Sequence, residues 1–121
     1  MKRFYKDATV TGDGPFGVAL DGRPLRTPAR VPLAVPTRSL AEAIAGEWRA
    51  QGEKIDPRSL PLSGFANAAI DRVAADHAGF AKRLATYAES ELIAYRADGP
   101  ASLLAAQATA WDPWVEWLAR R

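Results

Sequence analysis

The spacing of apolar residues changes period at Pro36, and that change divides what this chain can fold into. Before it, Phe4, Lys6, Ala8 and Val10 alternate with Tyr5, Asp7, Thr9 and Thr11, the period of a strand with one face on a core. Gly12-Asp13-Gly14-Pro15 is turn chemistry, and Phe16 to Leu20 reads as a second strand. Asp21-Gly22 is the strongest short hairpin signal, because a type I′ turn needs positive φ at both central residues. Leu25 to Thr27 then reads as a third strand and Val31 to Val35 as a fourth. Pro24, Pro28, Pro32 and Pro36 cannot donate to a ladder, so these strands must be short, edge-placed or bulged. Residues 1–36 are therefore expected to form a small antiparallel β-meander. Such a sheet is too thin to stand without a helix on its apolar face.

From residue 37 to 121 the pattern is helical. Thr37 or Ser39 caps a first helix, with Ser39 and Glu42 at capping-box spacing. Leu40, Ile44 and Trp48 repeat along it, and Gly52 sits where a C-cap glycine belongs. A loop with two prolines follows from Glu53 to Pro61. Leu62, Phe65, Ala66, Ala69, Ile70 and Val73 mark the stripe of a second helix, and Ala81, Leu84 and Ala88 that of a third. Asp98-Gly99-Pro100 breaks the chain before a fourth helix through Leu103, Leu104, Gln107 and Trp111. Asp112 before Pro113 has the form of an N-cap with proline at the first helical position, which predicts a fresh helix start. Strands first and helices after make the expected class α+β.

Trp111, Trp114 and Trp117 fall on that last segment within an arc of roughly 120°. A helix this apolar on one face is expected to pack against something. Three accounts stay open: the chain is the front part of a longer protein, the rings meet a partner, or they fold back on the preceding helices.

Composition excludes more than it assigns. The chain has 121 residues, 48% apolar and 25% charged, as in an ordinary globular domain. A net charge of +2 with pI near 9.2, evenly spread, does not argue for nucleic acid. No cysteine is present, which removes disulfides and thiolate metal sites. His77 is the only histidine, so a histidine zinc site is not expected, and His77 reads as a helix-start or core-edge residue. No run is long enough to span a membrane, and Met1-Lys2-Arg3-Phe4 has no signal-peptide core behind it. Glu89 and Glu91, two apart on a helix, point to different sides and do not form one acid–base site. Asp71, one turn from Asn67, is expected to pair with Arg72, Arg83 or Arg96, with recognition of a partner as the alternative. Arg23, Arg26 and Arg30 read as a solvated edge guarded against strand addition. Gly12-Asp13-Gly14 lacks the third glycine and the following helix of a dinucleotide site.

The residue strings go further. Arg3-Phe4-Tyr5-Lys6-Asp7, Leu20-Asp21-Gly22-Arg23-Pro24-Leu25-Arg26-Thr27-Pro28 and the run from Pro36 to Trp48 occur in order. Ile55-Asp56-Pro57, Leu60-Pro61-Leu62 and Ala66-Asn67-Ala68-Ala69-Ile70-Asp71-Arg72-Val73 follow. Tyr87-Ala88-Glu89-Ser90-Glu91-Leu92, Tyr95-Arg96-Ala97 and Ala110-Trp111-Asp112-Pro113-Trp114 complete the set. Together they resemble the assembly chaperone family for the α subunit of F-type ATP synthase, in its alphaproteobacterial form. Ala68 and Glu91 depart from it, standing where threonine and aspartate are expected. Family members continue past this length, so the chain resembles the N-terminal part of a longer member.

The resemblance implies a non-enzymatic factor without metal or cofactor, whose partner is the α subunit before its assembly with the β subunit. It implies a bacterial cytoplasmic location, or the mitochondrial matrix in a eukaryote, although no targeting segment is present. Glu89, Glu91, Tyr95, Arg96, Trp111, Asp112, Trp114 and Trp117 are the candidate partner-binding residues, with self-association through the tryptophan face as a further possibility. A small hydrolase-like domain using Asp71 and Glu89, or an RNA-binding module built on the hairpin arginines, are the competing readings. A concave pocket lined by both carboxylates would favour the first, and steep salt dependence the second.

Overall fold

A computed structural model describes all residues 1–121, which divide into two compact units, Met1–Asp76 and His77–Arg121. The first unit carries a four-stranded antiparallel sheet. Strands β1 (Ala8–Thr11) and β2 (Phe16–Leu20) pair with Ala8 opposite Leu20 and Val10 opposite Val18. Gly12 turns between them at φ 84°, where an added Cβ would lie 2.8 Å from the Pro15 carbonyl oxygen, so only glycine fits. Strands β3 (Arg23–Pro24) and β4 (Ala34–Val35) share the other edge of β2, beside its end and its start.

The turn into β3 has the geometry the sequence predicts, with φ of 48° at Asp21 and 79° at Gly22. The third and fourth strands are shorter than expected and displaced. Residues 25 to 27 are not a strand, and Arg26 makes a single bridge to Pro32. The closely spaced prolines leave too few N–H donors for longer ladders. The first strand is also shifted. Its alternation begins at Ala8, because Tyr5 is buried at 5% exposure and Phe4 is 61% exposed. Arg3 fixes this by donating to the carbonyls of Tyr5, Gln51 and Lys6 and by lying over the Tyr5 ring at 4.7 Å.

Helix α1 (Arg38–Arg49) is the layer that completes the sheet. The change of period at Pro36 thus falls inside the first unit. Ala41, Ile44 and Ala45 are all at 0% exposure, packed with Val18, Leu20, Leu33, Val35 and Tyr5 in the core. Thr37 is the N-cap, its hydroxyl accepting from Leu40 N at 3.3 Å, and Ser39 is the second residue of the helix, its hydroxyl turned to Thr37. The expected glycine cap at Gly52 is not formed. Buried Gln51 ends the helix instead, donating to Glu47 O and Ser59 Oγ and accepting from Asp56 N at 2.8 Å. A side chain that satisfies one last-turn carbonyl and two groups of the following segment removes the need for a left-handed residue.

Helix α2 (Pro61–Ala68) begins without a side-chain cap of its own. Glu47 of α1 supplies it, accepting from Leu62 N at 2.6 Å and from Ser63 N at 3.0 Å, while Trp48 Nε1 donates to Ser63 Oγ. A carboxylate there meets the orphan N–H groups and the positive end of the helix dipole. The stripe expected through Val73 continues as a wider π turn, Ala69–Val73, and then a 3-10 turn, Ala74–Asp76. Leu62, Ala66 and Ile70 pack on the core, but Phe65 is 72% exposed.

The second unit consists of α3 (His77–Ala85), a 3-10 turn at Thr86–Ser90 and α4 (Ala101–Ala119). No residue of it is buried. Leu84, expected on an inward stripe, is 55% exposed. The expected fresh start at Asp112-Pro113 does not occur, and α4 runs through with Pro113 inside it. Proline removes one backbone donor but need not stop a helix. Asp112, instead of capping, accepts from Arg96.

Candidate functional site

Two of the candidate residues, Trp111 and Asp112, meet a third, Arg96, in the second unit. The break after the 3-10 turn folds on Glu91, whose backbone carbonyl accepts from Ala94 N and Tyr95 N and whose carboxylate accepts from Ile93 N at 2.8 Å. This tight turn delivers Arg96 to α4. Its Nε donates to Ile93 O at 2.9 Å, its Nη1 to Asp112 Oδ1 at 2.7 Å, and its guanidinium lies 5.5 Å from the Trp111 ring centre. One residue on, Ala97 N donates to Gln107 Oε1 at 3.0 Å. The bonds from Arg96 and Ala97 tie the loop to α4 across sixteen and ten residues. A planar guanidinium can serve a carboxylate, a carbonyl and an aromatic face at once, which lysine cannot.

Around this pin the apolar side chains stand in solvent. Tyr87, Leu92 and Tyr95 are 73%, 74% and 71% exposed. On α4, Trp114 is 63%, Trp117 49% and Leu118 67% exposed. The three tryptophans do not act as one stripe: Trp111 is half-buried under Arg96, and Trp117 carries the Arg121 guanidinium at 4.6 Å. Glu89 is exposed, and Glu91 is turned to its own backbone, so the two carboxylates are not brought together. Leu92 and Leu118 are among the most exposed side chains here, and the sequence does not mark them, since a leucine beside a helical stripe looks like a core residue.

Elsewhere the chemistry-bearing residues do not converge on a reaction centre. His77 is an exposed first residue of α3. No group of three or more histidine, cysteine, aspartate or glutamate side chains is placed to hold a metal ion. No helix is long and apolar enough to cross a membrane. Asp71 does not pair with an arginine as expected. Its Oδ2 accepts from Ala29 N at 3.1 Å, holding the loop before β4 to the π turn, because that backbone donor has no ladder partner.

The sequence pattern of the family described as ATP12 chaperone proteins matches residues 2–119. The chain belongs to the ATP12 chaperone family. Two crystal structures of Atp12 from Paracoccus denitrificans, one of them a point mutant, superpose with a TM-score of 0.76 at 45% identity. They cover 98% of this chain and 51% of theirs. A protein from Agrobacterium tumefaciens matches at 44% identity and a TM-score of 0.73, over 96% of this chain and 44% of its own. The chain thus spans about half the length of the solved structures it matches. The resemblance read from the residue strings and the family match agree.

Proposed function

We propose that the chain acts as an ATP12-type chaperone, binding the α subunit of the ATP synthase catalytic sector and preventing its aggregation before the β subunit replaces it. The observation that carries this reading is the second unit's uncovered surface of Tyr87, Leu92, Tyr95, Trp114, Trp117 and Leu118 on a frame fixed by Arg96. An exposed apolar patch with a polar rim is what a client's own apolar surface needs, and exchange for a permanent partner requires only modest affinity. Within the surface, Tyr95, Trp114 and Trp117 are the direct contacts. Arg96, Trp111 and Asp112 position them, and Glu89 and Glu91 supply the acidic rim. The action is non-enzymatic, without metal or nucleotide, and goes with a bacterial cytoplasmic location.

The test is refolding of the α subunit by dilution from denaturant, followed by light scattering. Equimolar chain should suppress aggregation of the α subunit and not of the β subunit, and adding β should release the chain. Unchanged scattering of α would sink the reading. A second reading, pairing of two copies through the same face, is favoured by the exposure of Trp114 and Leu118. Sedimentation equilibrium separates the two, since self-association should weaken as the client is added.

A further inference from the structure

A second surface lies in the first unit. Asn67 and Asp71, one helical turn apart, line a cleft of about 370 Å³ with Pro28, Gly64 and Arg72. Asp71 Oδ2 is occupied by Ala29 N. Asp71 Oδ1 and Asn67 Oδ1 are buried and have no hydrogen-bond partner. Two acceptors without donors, one of them on a carboxylate, are costly to leave unmet. An adjoining cleft, sharing Pro28 and Asn67, adds the apolar walls of Leu25 and Leu33.

We propose that this cleft is a receptor for an arginine side chain presented by a bound polypeptide, its guanidinium donating to Asp71 Oδ1 and Asn67 Oδ1. The geometry asks for a cation with several N–H donors in one plane, and the adjoining apolar wall suits its aliphatic stem. A bare metal ion would meet too few ligands here. Arg72 lines the same cleft, but it makes no hydrogen bond to Asp71 Oδ1, which is left without a donor. That the guanidinium belongs to a polypeptide rests on the chaperone reading above. The binding chemistry does not.

Nuclear magnetic resonance titration of the 121-residue chain with N-acetyl-arginine amide tests it, with N-acetyl-citrulline amide as the neutral isostere. Saturable shifts at the Ala29, Asn67 and Asp71 amides are expected on the order of millimolar ligand, with citrulline at least roughly tenfold weaker. Asp71→Asn keeps an acceptor for Ala29 N and should remove the preference for arginine. Gly64→Leu should block the cleft; the Cβ it adds meets nothing within 4 Å, and circular dichroism checks that the variant is folded. Shifts that do not saturate, that citrulline reproduces, or that survive Asp71→Asn in a folded protein overturn the inference. The client assay stays separate. Protection of the α subunit without arginine binding removes only this receptor, and arginine binding without protection removes only the chaperone reading.

Discussion

The two units treat their apolar residues in opposite ways. In Met1–Asp76, Ile44 is at 0% exposure and Val18 at 1%, because a strand face of period two and a helix face of period 3.6 cover each other. In His77–Arg121 no residue is buried, although the helices are as rich in leucine, tyrosine and tryptophan. Amphipathic spacing therefore states which face a helix would bury, and only a second layer decides whether it does. What orders the second unit is polar instead: the Arg96 guanidinium on the Asp112 carboxylate and the Ile93 carbonyl, the turn on Glu91, and Ala97 N on the Gln107 carboxamide. A unit held this way keeps its apolar surface available, which suits the chaperone role proposed above.

The largest effect should come from the core of the first unit. Ile44→Ala removes a fully buried side chain at the sheet–helix contact and should cost about 3 kcal/mol of unfolding free energy. Urea denaturation followed by circular dichroism measures it. A loss under 1 kcal/mol would mean that the first unit is no better packed than the second.

The matching change in the second unit should be smaller. Arg96→Ala removes the bonds to Asp112 and Ile93 and the contact with Trp111, a loss of about 1 kcal/mol confined to that unit. Hydrogen exchange should show faster opening at Ile93 to Ala97 and along α4, with residues 8 to 20 unchanged. Exchange rising equally in both units would show that Arg96 supports more than its own unit.

How far these contrasts were legible in the sequence follows from the range of the interactions. The Asp21-Gly22 turn, the Thr37 cap and the break at Asp98-Gly99-Pro100 are written in neighbouring residues, and each forms as expected. Glu47 capping α2, Gln51 closing α1 and Arg3 binding Gln51 O join residues far apart in sequence, and no spacing announces them. The same limit applies to the site. Arg96, Trp111 and Asp112 are marked only by the family resemblance, and their meeting depends on the Glu91 turn. Asp112-Pro113 has the local form of a helix start, but α4 runs through it and the Asp112 side chain accepts from Arg96 instead of capping.

A smaller effect, set by pH, should appear only in the first unit. Asp21 accepts from Asp7 N at 2.9 Å and from Lys6 N at 3.0 and 3.1 Å, and these bonds hold its carboxyl below the usual carboxylate range. A depressed folded-state value contributes stability above the unfolded pKa near ~4, and the contribution is lost as pH falls through the folded value. Asp21→Asn keeps a turn-forming residue before Gly22 but loses the charge. It should lower the melting temperature at pH 7 and converge with the parent chain in strong acid. A difference that persists unchanged into acid would place the effect in the turn conformation and not in the carboxylate.

The smallest effect on stability should accompany the largest on binding. Trp114 is 63% exposed, and no aromatic or hydrogen-bonding contact of its ring holds the second unit together. Replacing it by glutamate should change the unfolding free energy by no more than about 0.5 kcal/mol, as for surface sites away from packing. On the chaperone reading proposed above, the same Trp114→Glu chain should fail to protect the α subunit, because a charge set into an apolar contact must be desolvated without a partner. Parallel melting and light-scattering measurements read both at once. Unfolding of the variant would make the ring core rather than contact surface. Full protection by a folded variant would move the contact to the Leu92 and Tyr95 side of the Arg96 frame.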